Sequence, residues 1–201
     1  MFCLIMGADM AYAGGPEDEL PKELKKEYKR RLKDIKKGKW ELFGSSRSLD
    51  YALFKHYQKI DKLGDDCDEV SGIATKFRSK NIGHQMAVNS ACINYAQRAG
   101  SSLRGNVRND MYSNNTNEDS EEVDRFYANY ERNIEKEIRN EMTESYTLIR
   151  TAPDGTQEMV TYFIIDKGAA ERSRQRAIDQ AISDSGLNGD QAAALKASLQ
   201  Q

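Results

Sequence analysis

Among 201 residues there are three prolines, three cysteines, two histidines and one tryptophan, and each scarcity removes a class of protein. So few prolines suit one globular domain with helical attachments better than a chain of linkers. His56 and His84 stand in no HExxH spacing and no CxxC pair occurs, so a zinc site has no support. The chain has no GxGxxG, GxxxxGK[ST] or GxSxG, which removes the common nucleotide cradles and the serine elbow. No apolar run approaches the roughly 20 residues of a membrane-spanning helix. The formal net charge is −2, so the whole molecule has no pull on polyanions and nucleic acid is not an expected partner. No cofactor is expected. Cys92 and His84 lie two helical turns apart and could be drawn as thiolate and base, but an alanine-lined cysteine is an inert core residue, so no catalytic residue is assigned and the chain is expected not to be an enzyme. The acidic loops around Asp65–Asp68 and Asp184–Asp190 lack the residue order of a calcium loop.

Residues 1–13, MFCLIMGADMAYA, are a short apolar stretch ending in the small-x-small triplet Ala11-Tyr12-Ala13, the end of a secretory signal. This predicts a periplasmic or secreted protein, associated with the outer membrane. Residues 14–39 form a basic amphipathic leader helix with Leu24, Tyr28, Leu32 and Ile35 in a narrow stripe. Two readings stand: the helix lies on an anionic surface through Lys25, Lys29, Arg30 and Lys33, or it rests its stripe on the domain. The lack of Trp and Phe favours the second.

Residues 40–185 make the α+β domain and 186–201 a short tail helix. Trp40 to Ser45 alternates as a first strand, Ser48 caps a short helix through Tyr57, and residues 59–68 are a polar loop before a second strand at 69–77. The helix at 81–99 carries Val88, Ala91, Cys92, Tyr95, Ala96 and Ala99 on one arc; such small residues let it lie close on the sheet. Ile82, Met86 and Ile93 form a second apolar flank that predicts another helix beside it. Arg104-Gly105-Asn106-Val107-Arg108 follows, with two guanidinium groups near a helix end that could take an anion. A loop at 111–124 leads to a long helix striped by Phe126, Tyr130, Ile134 and Ile138. A hairpin then turns at Pro153-Asp154-Gly155, and Asp166 caps a last helix. Cys67 and Cys92 are placed about 20 Å apart, too far for a disulfide, so two free thiols are expected. The sheet is therefore short and mainly antiparallel, about four strands, with the alanine-rich and long helices on one face.

This order, with the texture Ser79-Lys80-Asn81-Ile82-Gly83-His84-Gln85-Met86-Ala87-Val88-Asn89-Ser90-Ala91-Cys92-Ile93-Asn94-Tyr95-Ala96, resembles the small envelope lipoproteins that include the flagellum-associated FlgP and the related N-terminal domain of FlgT. The likeness spans roughly residues 40–181, and the opening Leu42-Phe43-Gly44-Ser45-Ser46-Arg47-Ser48 is similar to secreted proteins of Gram-negative gut anaerobes. It implies a structural or assembly role in the envelope without catalysis, with another envelope protein or a second copy as partner and peripheral contact with an anionic membrane surface. The alternative is a periplasmic binding protein for an anionic lipid or glycan.

Overall fold

The computed structural model describes residues 16–114 and 121–187, with 189, 192, 193 and 196; the side chains of 16, 106–114, 122 and 123 lie outside the description. The signal-like leader at 1–13 and most of the tail helix also fall outside it. The elements run α1 (Lys22–Lys37), β1 (Glu41–Phe43), α2 (Leu49–Leu63), β2 (Cys67–Phe77), α3 (Lys80–Asn114), α4 (Glu121–Ile138), β3 (Thr143–Thr151), β4 (Gln157–Asp166) and α5 (Lys167–Ser185). The fold is α+β. Its four strands pair antiparallel throughout in the order β1-β3-β4-β2. No described helix is long and apolar enough to cross a membrane.

The period of two along the strands divides the core into two sides. On one side Val70 pairs with Phe163, Gly72 with Thr161 and Ala74 with Met159, and against them lie Ala87, Ala91, Cys92 and Ala96 of α3, each 4% exposed or less. The methyl-sized face expected of this helix is thus buried on the sheet. At Gly72 the approach is so close that a Cβ would stand 1.9 Å from the Ala87 carbonyl oxygen, so this position admits only glycine as placed. The long helix α4 fills the angle between α3 and α5, burying Phe126, Tyr130, Ile134 and Ile138. On the other side α1 and α2 cover Tyr146 and Leu148, with Tyr28, Ile35, Leu53 and Tyr57 buried between them. The leader's stripe therefore rests on the domain and completes its core.

Local signals held at several ends. Ser48 Oγ accepts from the Tyr51 amide at 3.2 Å, an Asp166 carboxylate oxygen accepts from the Ala169 amide at 2.8 Å, and Gly155 and Gly186 take positive φ at the hairpin and after α5. At the sheet's outer edge the Ile73 amide donates to Ser90 Oγ at 3.2 Å, and the Asn94 side-chain amide donates to the Ser71 carbonyl at 3.1 Å. Cys67 and Cys92 are both free.

Three expectations are corrected. The region 59–68 is not a polar loop: α2 runs to Leu63, a single 3-10 turn spans Gly64–Asp66, and β2 begins at Cys67. The Arg104–Arg108 segment is not at a helix end, because α3 continues through Gly105 to Asn114, so these backbone amides are spent within the helix. The flank Ile82, Met86 and Ile93 is not covered by a helix: the three side chains are 55%, 42% and 41% exposed, because α4 packs on the Cys92, Ala96 and Leu103 side of α3, while Asn89, on the same arc as the flank, accepts a hydrogen bond from Arg139 just after α4.

Candidate functional site

Two features outside the apolar core stand out, a buried polar cluster and an uncovered helix flank. The cluster joins four elements. His56 of α2 is 1% exposed and lies edge-on between the rings of Tyr57 and Tyr146, with centroids 5.2 and 5.1 Å away. Its Nε2 is 2.6 Å from Glu69 Oε2 on β2, and its Nδ1 is 2.9 Å from Ser145 Oγ on β3. Arg31 of α1 donates to the same Glu69 oxygen at 2.7 Å, and its guanidinium lies over the Tyr162 and Tyr57 rings at 5.2 and 5.4 Å. The β3–β4 register shifts between Glu144 and Tyr146, and this bulge turns Ser145 toward the same face as Tyr146.

The charges follow from this geometry. Burial alone would raise the Glu69 carboxyl, but hydrogen bonds from His56 and Arg31 outweigh it and hold the group at about 2. Burial works against the Arg31 cation too, and the hydrogen bond to Glu69 reverses that and pushes its pKa up. Burial pushes the phenols of Tyr146 and Tyr162 up, so both stay protonated. An ionised Glu69 only accepts, so His56 Nε2 donates to it, and Nδ1 shares the other hydrogen bond with the Ser145 hydroxyl.

Serine, histidine and carboxylate in one line invite comparison with an acyl-transfer triad, and the details do not favour one. The acid sits on Nε2 and the serine on Nδ1, the reverse of the catalytic order. Arg31 Nη1 stands 3.3 Å from Nε2 and shares the same Glu69 oxygen. Of three surface grooves, of about 590, 450 and 470 Å³, the first is lined in part by Glu69 and the second by Arg31 and Tyr162, and none by His56 or Ser145. What the cluster does is fasten α1 and α2 to the sheet. Among the described residues no group of three His, Cys, Asp or Glu side chains could hold a metal ion.

The residues singled out in the sequence as anion binders do not converge. Lys29, Arg30 and Lys33 stand exposed on α1, Lys25 pairs with Asp18, and Arg30 has only a 3.8 Å contact to Glu27. Arg104 is on the opposite side of the sheet, over the Tyr127 ring at 4.7 Å and 4.0 Å from Glu131, and the Arg108 side chain lies outside the described residues. The 450 Å³ groove does hold Arg30 beside Trp40 and Tyr162, but Asp34 shares it and Arg31 is committed to Glu69. The cluster itself was not foreseen. Its one signal in the sequence is a charged or imidazole side chain set into an apolar face: Arg31 between Tyr28 and Ile35, and His56 beside Leu53 and Tyr57.

No family model, curated protein or solved structure matches this chain.

The second feature is therefore weighed on geometry alone. Along α3, Ile82, Met86 and Ile93 fall within about 40° of one another on a helical wheel, a line three turns long facing water. Ile73, 55% exposed, is not part of this line: its amide donates to Ser90 Oγ on α3, but Gly72 and Ala74 on either side of it face α3, which turns the Ile73 side chain to the other face of the sheet. Exposed apolar side chains gathered on one flank mark a contact surface more readily than a solvated face.

Proposed function

We propose that this protein is a non-catalytic interaction module of the cell envelope that docks a partner through the open flank of α3. The observation that carries the reading is the uncovered line Ile82, Met86 and Ile93 on a helix whose opposite face is packed to the backbone of the sheet. A rigid support with a few apolar anchors facing water is the form of a docking site. The titratable groups support the same conclusion, since Glu69 is held ionised by two donors and is in no state to take a proton near neutral pH. The envelope setting rests on the apolar N-terminal stretch with its Ala11-Tyr12-Ala13 triplet and on the FlgP-like texture of α3. Binding of an anionic lipid or glycan has less behind it, because the candidate cations sit on both sides of the sheet and the aromatic groove includes Asp34.

The test is photo-crosslinking in the cells that produce the protein, with benzoylphenylalanine at position 86 or 93 and, as control, at Asp179 on the exposed side of α5. A discrete adduct from 86 and 93, absent from 179 and found in the envelope fraction, is the expected result. Adducts of twice the chain mass identify the partner as a second copy. No adduct at 86 and 93, or equal labelling at 179, refutes the proposal.

A further inference from the structure

We infer that the groove between α1 and the sheet is a binding site for a neutral saccharide, held by Trp40, Arg30 and Asp34. The site lies on the other face of the sheet from α3, and the inference does not depend on the docking role just proposed. Three observations carry it. The first is the floor. The strand register aligns Leu42, Leu148, Val160 and Ile73 in one row across the sheet, and residues paired in this way share a face. The two helices on this face cover only part of the row: Leu148 is buried, Val160 half-buried and Ile73 55% exposed. Beside α1 the floor opens into a groove of about 450 Å³, within the range of small-ligand sites, walled by Ile35 and Trp40. Trp40 is held in place by the protein itself. The Arg150 guanidinium lies over its ring at 4.4 Å, and Arg150 is tied in turn to Glu158 and to the Gly38 carbonyl. A fixed indole gives polarised C–H groups, such as those on one side of a sugar ring, a π-system to rest on at little cost in ordering.

The second observation is the set of polar atoms left unspent. Among the described residues the Asp34 carboxylate, the Tyr162 hydroxyl and the Trp40 indole N–H make no hydrogen bond, and Arg30 reaches only Glu27, at 3.8 Å. Asp34 only accepts, Arg30 and the indole only donate, and the phenol does both. A sugar hydroxyl both donates and accepts, so one ligand satisfies all four. The third is charge balance. Arg30 and Asp34 offset each other in the groove, and the charge of Arg31 is met by Glu69 at 2.7 Å. An anion therefore meets Asp34, a cation meets Arg30 and Arg31, and a wholly apolar ligand strips water from Asp34 and Arg30 with nothing in return. The same Asp34 that disfavours an anionic lipid is an acceptor for hydroxyls. A body with no net charge, an apolar side and a rim of hydroxyls is the chemistry that fits.

Trp40 is the only tryptophan of the chain, so intrinsic fluorescence reads this groove directly. The probes are maltotriose, cellotriose and chitotriose, with phenylalanine and phenyl phosphate as charged competitors and glycerol as a hydroxyl control. At least one trisaccharide is expected to shift the Trp40 emission saturably, with an affinity unchanged between low and high salt, while glycerol leaves the emission as it was. Asp34→Ala and Arg30→Ala, both at exposed positions, are each expected to weaken that binding by about tenfold with an unchanged circular dichroism spectrum, and Lys33→Ala, exposed on the same helix, to leave it intact. The absence of a saturable shift with all three trisaccharides overturns the inference, as does a shift that survives both Asp34→Ala and Arg30→Ala. Tighter binding of phenylalanine or phenyl phosphate than of every trisaccharide also overturns it, and would assign the groove to a charged ligand.

Discussion

Replacing Gly72 by alanine puts one methyl group where the backbone of α3 already stands. Its Cβ would lie 1.9 Å from the Ala87 carbonyl oxygen, 2.4 Å from the Ala91 nitrogen and 2.9 Å from the Ala91 Cβ. Two of the three are backbone atoms in the middle of a long helix, so no rotamer change relieves the contact, and relief requires strand and helix to part by roughly 1.5 Å to reach an ordinary C···O separation. Parting them loosens Ala87, Ala91, Cys92 and Tyr95 together, all now 4% exposed or less. Overpacking of a well-fitted core costs about 1–3 kcal/mol and more where backbone must move. The lost freedom of the unfolded chain returns about 0.5–1 kcal/mol. A net loss of about 3 kcal/mol follows, or a fall in Tm of about 6–12 °C for a chain of this size. The control is Gly105→Ala, also in α3, where a Cβ meets nothing within 4 Å. There the helix should gain about 0.5–1 kcal/mol. Urea and thermal unfolding followed by circular dichroism read both. A Gly72→Ala protein as stable as the parent, or a Gly105→Ala protein that is weakened equally, would show that α3 does not press on β2 as described.

The polar cluster makes two further predictions. Glu69 is depressed in the folded protein from 4.5 to about 2, so its contribution is complete above the unfolded value and disappears as pH falls from about 4.5 toward 2. The shift corresponds to at most about 3 kcal/mol, and chemical denaturation across that window should reveal a loss that is largely absent in Glu69→Gln; equal acid slopes in the two proteins would refute the assignment. Arg31→Ala leaves Glu69 with His56 alone and removes the guanidinium from the Tyr57 and Tyr162 rings, at a cost of about 2–3 kcal/mol. Hydrogen exchange should then accelerate over Lys22–Lys37 before it does over the first turns of α3, and unchanged protection of α1 would mean that apolar packing alone seats this helix.

Periodicity made the larger part of the architecture legible. The run Ala91, Cys92, Ala96 and Ala99 has the spacing and the small volume of a face laid on a sheet, and caps at Ser48 and Asp166 are local chemistry readable from a few residues. The same reasoning misplaced Ile82, Met86 and Ile93, because an apolar stripe has one period whether a neighbour covers it or not. Gly105 suggested a helix end near Arg104, yet α3 passes straight through it to Asn114. The cluster at His56 was the least visible. Arg31, His56, Glu69 and Ser145 come from four elements, with His56 and Ser145 89 residues apart, and no local spacing joins them. Only the registry of the sheet and the bulge before Tyr146 bring them together.

An outermost β-strand ordinarily offers its bare peptide groups to any passing chain, and this is how folded proteins seed fibrils. Here two short side chains, Ser90 and Asn94, plug that row from the neighbouring helix. The molecule can therefore display isoleucine and methionine to solvent at the same edge while runaway sheet growth stays blocked there, which separates stickiness toward a chosen companion from polymerisation.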